Sequence, residues 1–239
     1  IGNFKIPGCG GLAVTPTSQS LCSTAGTASF GVELSGVFAG TTNMSTSTCP
    51  AGATCSYTVN PVVFPATSTS LQVGNLASVA AGTYNFDAVA TDNANPTITR
   101  NVPLSLSVST ASPAAPALTA PANGALNVAV RPTFQWGAVA QAATYRLQVS
   151  TSAGFGTLLV DQSGITGTSA TPTSDLPSNS VLYWRVTPSN PCGTGLNSAT
   201  YTFSTTALPG DCGIGTTPQQ VFFENFDGVV TGWTHSGTG

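Results

Sequence analysis

Six cysteines and one histidine are the side chains best suited to chemistry in this sequence. The cysteines fall into three sequence-local couples: Cys9 with Cys22, Cys49 with Cys55, and Cys192 with Cys212. No CxxC or HxxxH spacing occurs, so the separations favour three disulfides over a zinc site. Many complete pairings are open to six cysteines, and proximity along the chain selects among them only by plausibility. Disulfides persist in oxidising compartments, so a secreted or cell-surface location is expected. The histidine, His235, stands near the last residue, Gly239, and no HExxH motif accompanies it. A serine, histidine and carboxylate set would have to be built around that one residue, and a cysteine nucleophile would have to forgo its partner. Catalysis is not expected, and no cofactor is implied.

The carboxylates are sparse. The closest separations are Asp87 to Asp92 and Glu224 to Asp227, which match neither an EF-hand loop nor a glycosidase pair. Most read as solvated or turn carboxylates. Glu224, Asn225 and Asp227 form a weak calcium candidate, with oxygen donors that could stiffen the segment around them. Five basic against eight acidic residues give a net charge of −3, with no basic stripe to neutralise a phosphate backbone, so nucleic acid is excluded as a partner. No 18-residue apolar run suggests a membrane span. Trp233 is the candidate for stacking on a sugar face, whereas Trp136 and Trp184 sit in alternating patterns that mark core positions. Asn43-Met-Ser45 fits a glycosylation sequon, a frequent chance match.

The elements that must carry these residues are strands. Ser, Thr, Ala, Gly, Val and Pro dominate and only 13 residues are charged, a composition that suits short strands joined by turns. Period-2 alternation marks residues 28–34, 84–90 and 104–108; with 12–15, 41–48, 56–63 and 70–76 they make about seven strands, the number of an immunoglobulin-like sandwich. Ser112-Pro-Ala-Ala-Pro-Ala117 reads as an extended connector. After it, residues 132–136, 144–149, 158–160, 182–186 and 199–203 form a second series, whose inward set is Phe134, Trp136, Tyr145, Leu147, Val149, Trp184, Val186, Tyr201 and Phe203. The expected class is all-β: two tandem immunoglobulin-like or fibronectin type III-like sandwiches at 9–110 and 118–206, a lead segment 1–8, a linker 111–117, and a tail 207–239 that begins a further β domain.

The run Phe134-x-Trp136, Tyr145-x-Leu147-x-Val149 and Leu176-Pro followed by Tyr183-Trp-Arg-Val186 resembles a fibronectin type III-like domain over residues 118–206. The resemblance implies a core role for Trp136 and a tyrosine-corner role for Tyr183. The phrase Cys49-Pro-Ala-Gly-Ala-Thr-Cys-Ser-Tyr-Thr-Val-Asn-Pro61, with Ala81-Gly-Thr-Tyr-Asn-Phe86, is similar to immunoglobulin-like repeats beside secreted bacterial proteases, including reprolysin-like zinc metalloproteases. Val221-Phe-Phe-Glu-Asn-Phe-Asp-Gly228 with Trp233 resembles the opening strand of a jelly-roll accessory domain of the same secreted proteins.

These resemblances imply non-catalytic binding or spacer modules of a longer secreted bacterial hydrolase, and the start at Ile1 without Met is expected of a mature or excised piece. The expected partners are other domains of that parent, other copies of the chain, or an extracellular polysaccharide or protein. A structural subunit or an adhesin is the alternative. In the fibre version Val221, Phe222, Phe223 and Phe226 would add as a strand to the sheet edge of another copy.

Overall fold

The computed structural model describes residues 11–36, 38 and 40–208, and its regular elements are strands apart from two single-turn 3-10 segments. The first sandwich packs two sheets. One holds β1 (Gly11–Thr15), β3 (Ala28–Ser35), β7 (Ser68–Gly74) and β5 (Thr54–Tyr57) in the order β1-β3-β7-β5. The other holds β2 (Ser18–Cys22), β4 (Thr41–Thr46), β6 (Val62–Val63), β8 (Gly82–Asp92) and β9 (Thr99–Ser109) in the order β2-β9-β8-β4-β6. Alternation along β3 sends Ala28, Phe30, Val32 and Leu34 inward, where Phe30 meets Phe86 of β8 edge-on at 6.1 Å. Each such large apolar side chain contributes roughly 1.5–3 kcal/mol by leaving water.

The stretch expected to run as one strand over 56–63 is divided between two sheets. Pro61 has no N–H to give to a ladder. Asn60 beside it bonds to the main chain of Met44 on both sides, accepting from its N–H at 2.9 Å and donating to its carbonyl at 2.8 Å. The polar strand β2 has no apolar alternation to announce it; it pairs parallel to β9, from Ser18 opposite Ser105 to Cys22 opposite Ser109.

Between Ser109 and Leu118 no regular element forms. The second sandwich has β10 (Leu118–Ala120), β12 (Phe134–Trp136) and β15 (Ser169–Ala170) in one sheet. The other orders β11 (Ala125–Val128), β18 (Tyr201–Thr205), β16 (Val181–Asn190), β13 (Thr144–Ser150) and β14 (Leu158–Ile165), with β17 (Gly193–Thr194) folded back on β16. Its core is aromatic: Phe134 lies 4.9 Å from Trp184 between ring centres, Trp136 5.6 Å from Tyr145, and Trp184 6.0 Å from Tyr201.

Tyr183 does not make the expected tyrosine corner. With Leu182, Trp184 and Val186 facing inward, the two-residue period of β16 turns Tyr183 to the outer face. In this sandwich Tyr145 fixes a loop, its hydroxyl accepting the Val139 N–H at 2.9 Å.

Candidate functional site at the seam

The ends of several strands meet where the two sandwiches join. β2 finishes at Cys22 beside Ser109, the last residue of β9, from which the chain passes to the second sandwich. The β16–β17 hairpin pairs Asn190 with Gly193 and carries Cys192 in its turn. Cys22 and Cys192 form a disulfide across the seam, with Cα atoms 4.7 Å apart and a sequence separation of 170.

This corrects the local pairing expected from sequence: Cys22 is not bonded to Cys9, nor Cys192 to Cys212. Proximity along the chain carries no information about two strand ends that meet only after both sandwiches have formed. Cys9 and Cys212 lie outside the described residues. A second disulfide joins Cys49 to Cys55, a separation of 6, and ties off the loop before β5.

Neutral hydrogen bonds surround the bridge. Gln141, held at φ 62°, accepts the Thr110 N–H on Oε1 at 2.8 Å. Asn190 donates from Nδ2 to the Ala111 carbonyl at 2.8 Å and to the Gln141 carbonyl at 3.0 Å, and its Oδ1 accepts the Cys192 N–H at 2.8 Å. The Leu196 N–H donates to the Pro113 carbonyl at 3.2 Å. Gly195 sits so close that a Cβ there would come 2.3 Å from the Pro113 oxygen, and any other residue would push the connector out of place. An open cleft of about 540 Å³ runs along the seam, with Ser20, Thr83 and Ser107 on one wall and Gln141, Ala143 and Pro191 on the other. None of these groups is charged, so salt has little leverage on the junction.

Sequence reasoning singled out both cysteines but not their meeting, and missed Gln141, Asn190 and Gly195. Pro191-Cys-Gly193 between Asn190 and Thr194 is the available signal, a turn composition that announces a hairpin.

The remaining sequence-predicted residues are placed elsewhere. Trp136 and Trp184 are buried. Asp92 is a turn carboxylate that accepts the Ala94 and Asn95 N–H groups at 2.9 and 2.8 Å, and Asp87 accepts a bond from Asn101 at 3.3 Å. The strand-addition residues Val221, Phe222, Phe223 and Phe226, the stacking candidate Trp233 and the calcium candidates Glu224, Asn225 and Asp227 all lie outside the described residues. Among the described residues there is no group of three or more His, Cys, Asp or Glu able to hold a metal, and no helix is long and apolar enough to cross a membrane.

A second cleft, about 450 Å³, lies beside β14 and includes Leu159, Asp161, Thr173 and Asp175. Both of its carboxylates are paired, Asp175 with Arg131 at 2.9 Å and Asp161 with the Arg146 fork, whose second bond measures 2.6 Å. The guanidinium holds the Asp161 carboxyl below the usual carboxylate range. In the first sandwich, burial pushes the Tyr57 phenol up to about 12. Its hydroxyl donates to the Ser45 carbonyl at 2.8 Å.

No protein-family model matches the sequence, and no curated protein matches it. Among solved structures the chain is similar to a fibronectin type III-like protein from Clostridium thermocellum, at 22% identity over 41% of this chain and 95% of that one, TM-score 0.31. It is also similar to the first three fibronectin domains of chicken CNTN1, at 12% identity over 74% of this chain and 62% of that one, TM-score 0.34. A third similarity is to the fibronectin type III domain of human KIAA0970, at 14% identity over 47% and 85%, TM-score 0.30.

Proposed function

We propose that this chain is a clamped pair of non-catalytic spacer and binding modules, with units at 9–110 and 118–206 joined by 111–117, belonging to a larger secreted bacterial protein of the hydrolase class. The observation that carries this reading is the Cys22–Cys192 bridge: a chain whose two sandwiches are covalently fixed to each other holds a set distance and angle between whatever lies on either side. The same bridge fits an extracellular location, where it would not be reduced. The sequence likeness to repeats beside reprolysin-like metalloproteases points to a protease parent, with ligand contacts to a polysaccharide or protein made by the loops.

One observation favours a second reading, a fibre built by strand addition. β14 is the outer strand of its sheet, with eight residues available for pairing. Several features oppose uncontrolled pairing there: the exposed Arg146–Asp161 pair, the left-handed Gly164 at φ 72°, and register breaks against β13. Light scattering and negative-stain microscopy on the full chain and on a chain ending at Ala207 distinguish the readings. Monodisperse monomers from both are expected. Large species from the full chain alone would replace the spacer reading with assembly.

A further inference from the structure

The directions of the strands that lead into and out of the Cys22–Cys192 bridge define a mechanical path. Gly11 pairs with Ser35 and Thr15 with Gly31, while Ala28 at the other end of β3 follows the turn after Cys22. β1 and β2 therefore run in succession from the far end of the first sandwich to the seam. On the other side, Gly193 opposes Asn190 at the seam, Tyr201 opposes Trp184 and Ser204 opposes Val181, so the chain after Cys192 runs from the seam to the far end of the second sandwich. The disulfide joins these two extended stretches end to end.

We propose that the Cys22–Cys192 disulfide makes this chain a load-bearing tether of limited extension, in which tension along the chain bypasses residues 23–191, the stretch that supplies most of both hydrophobic cores. Force entering before Gly11 travels along β1 and β2, crosses the sulfur–sulfur bond, and leaves through β17 and β18. Residues 23–191, which include β3 to β16, form a closed loop off this path. A separation of 170 residues corresponds to roughly 560–610 Å of extended chain that tension cannot draw out.

The strands on the path are already extended, and they are loaded along their length. β2 holds five parallel register pairs to β9, and β1 five antiparallel pairs to β3. Their hydrogen bonds are sheared together instead of opening one at a time. Without the bridge the same force would run through β9, the connector and β10, and each sandwich would unravel in turn. The Cys49–Cys55 bridge, with a separation of 6, lies inside the protected loop and has no part in the path. The proposal stands on the bridge and the strand directions, whichever parent carries the modules, so its failure leaves the scattering test of the spacer reading untouched.

The test is single-molecule pulling of the full chain between peptide-fused handles, in a background with Cys9→Ser and Cys212→Ser, after mass spectrometry has confirmed the Cys22–Cys192 link. The bridged chain is expected to lengthen by no more than about 250 Å, the contour of the residues outside the loop. Cys22→Ser with Cys192→Ser is expected to add two unfolding steps that together release roughly 560–610 Å. Cys49→Ser with Cys55→Ser is expected to leave the bridged behaviour unchanged. A dithiol reductant added to the bridged chain gives the same readout without substitution: two electrons and two protons pass to the sulfur pair, two thiols form, the reductant becomes a disulfide, and the long steps appear. Long steps from the bridged chain, or no long steps after confirmed thiol release, overturn the proposal.

Discussion

Replacing Cys22 and Cys192 together by serine is expected to destabilise both sandwiches, because each closes the loop for the other. If both unfold at once the bridge constrains a loop with a separation of 170 residues, a chain-entropy effect of about 5 kcal/mol. If only the first unfolds, the folded second sandwich still holds Cys192 at the seam beside Ser109, and the loop from Cys22 to Ser109 is about 90 residues, an effect of about 4.5 kcal/mol. Unfolding only the second leaves a loop of about 80 residues and nearly the same value. The Cys49–Cys55 loop, with its separation of 6, contributes about 2.2 kcal/mol by the same relation and acts on the first sandwich alone. Calorimetry of the two serine pairs reads these differences, at roughly 4–8 °C per kcal/mol for domains of this size. The seam pair should lower whichever transition comes first, and by more than the loop pair lowers the first sandwich; the later transition should move by only about 0.5 kcal/mol, the difference between a loop of 170 residues and one of about 90. A seam pair that lowers the earlier transition by no more than the loop pair lowers the first sandwich would refute the reasoning, since the sandwich still folded would then not be holding the loop closed.

The remaining expectations concern the sandwiches themselves. Trp184→Ala should cost about 3–5 kcal/mol, read from urea unfolding, because a fully buried ring packed on Phe134 and Tyr201 leaves a cavity. Asp161→Asn should cost less than about 1 kcal/mol, because its pair with Arg146 is solvent-exposed. Since the folded carboxyl ionises below its ordinary range, the contribution is present at neutral pH and is lost as pH falls through the folded value; carboxyl NMR titration of the wild type locates that loss. The Tyr57 phenol, pushed up to about 12, should titrate in ultraviolet absorbance well above the ordinary tyrosine value near 10. Its protonated form is favoured in the fold, so stability should hold below the ordinary tyrosine value near 10 and fall as pH rises toward 12; Tyr57→Phe should remove that dependence while losing the bond to Ser45.

Composition and period-2 alternation carried the all-β class and most of the core. Phe30, Val32, Phe86, Leu104 and Leu106 stand between smaller or more polar neighbours, and Phe134, Trp136, Leu147, Trp184 and Phe203 do the same in the second half, so one-sided burial could be read directly from order along the chain. Edge strands were less legible. β2 and the later part of β14 are largely polar, because an outer strand can pair its backbone on one side without committing an apolar face to the core. Parity mattered more than spacing at Tyr183. The count from Leu176 suggested a corner, but the inward phase of β16 was fixed by Leu182, Trp184 and Val186 packing on the opposite sheet.

The sequence by itself determined that strands would form and which large aromatics, Phe134, Trp136, Trp184 and Phe203 among them, would be buried, because those properties follow from local periodicity and composition. Only the tertiary structure decided which cysteines meet. A disulfide needs two Cβ atoms within a few ångströms, and Cys22 and Cys192 reach that distance only after β9 has delivered the chain to the seam, the second sandwich has formed, and its β16–β17 hairpin has turned back toward β2.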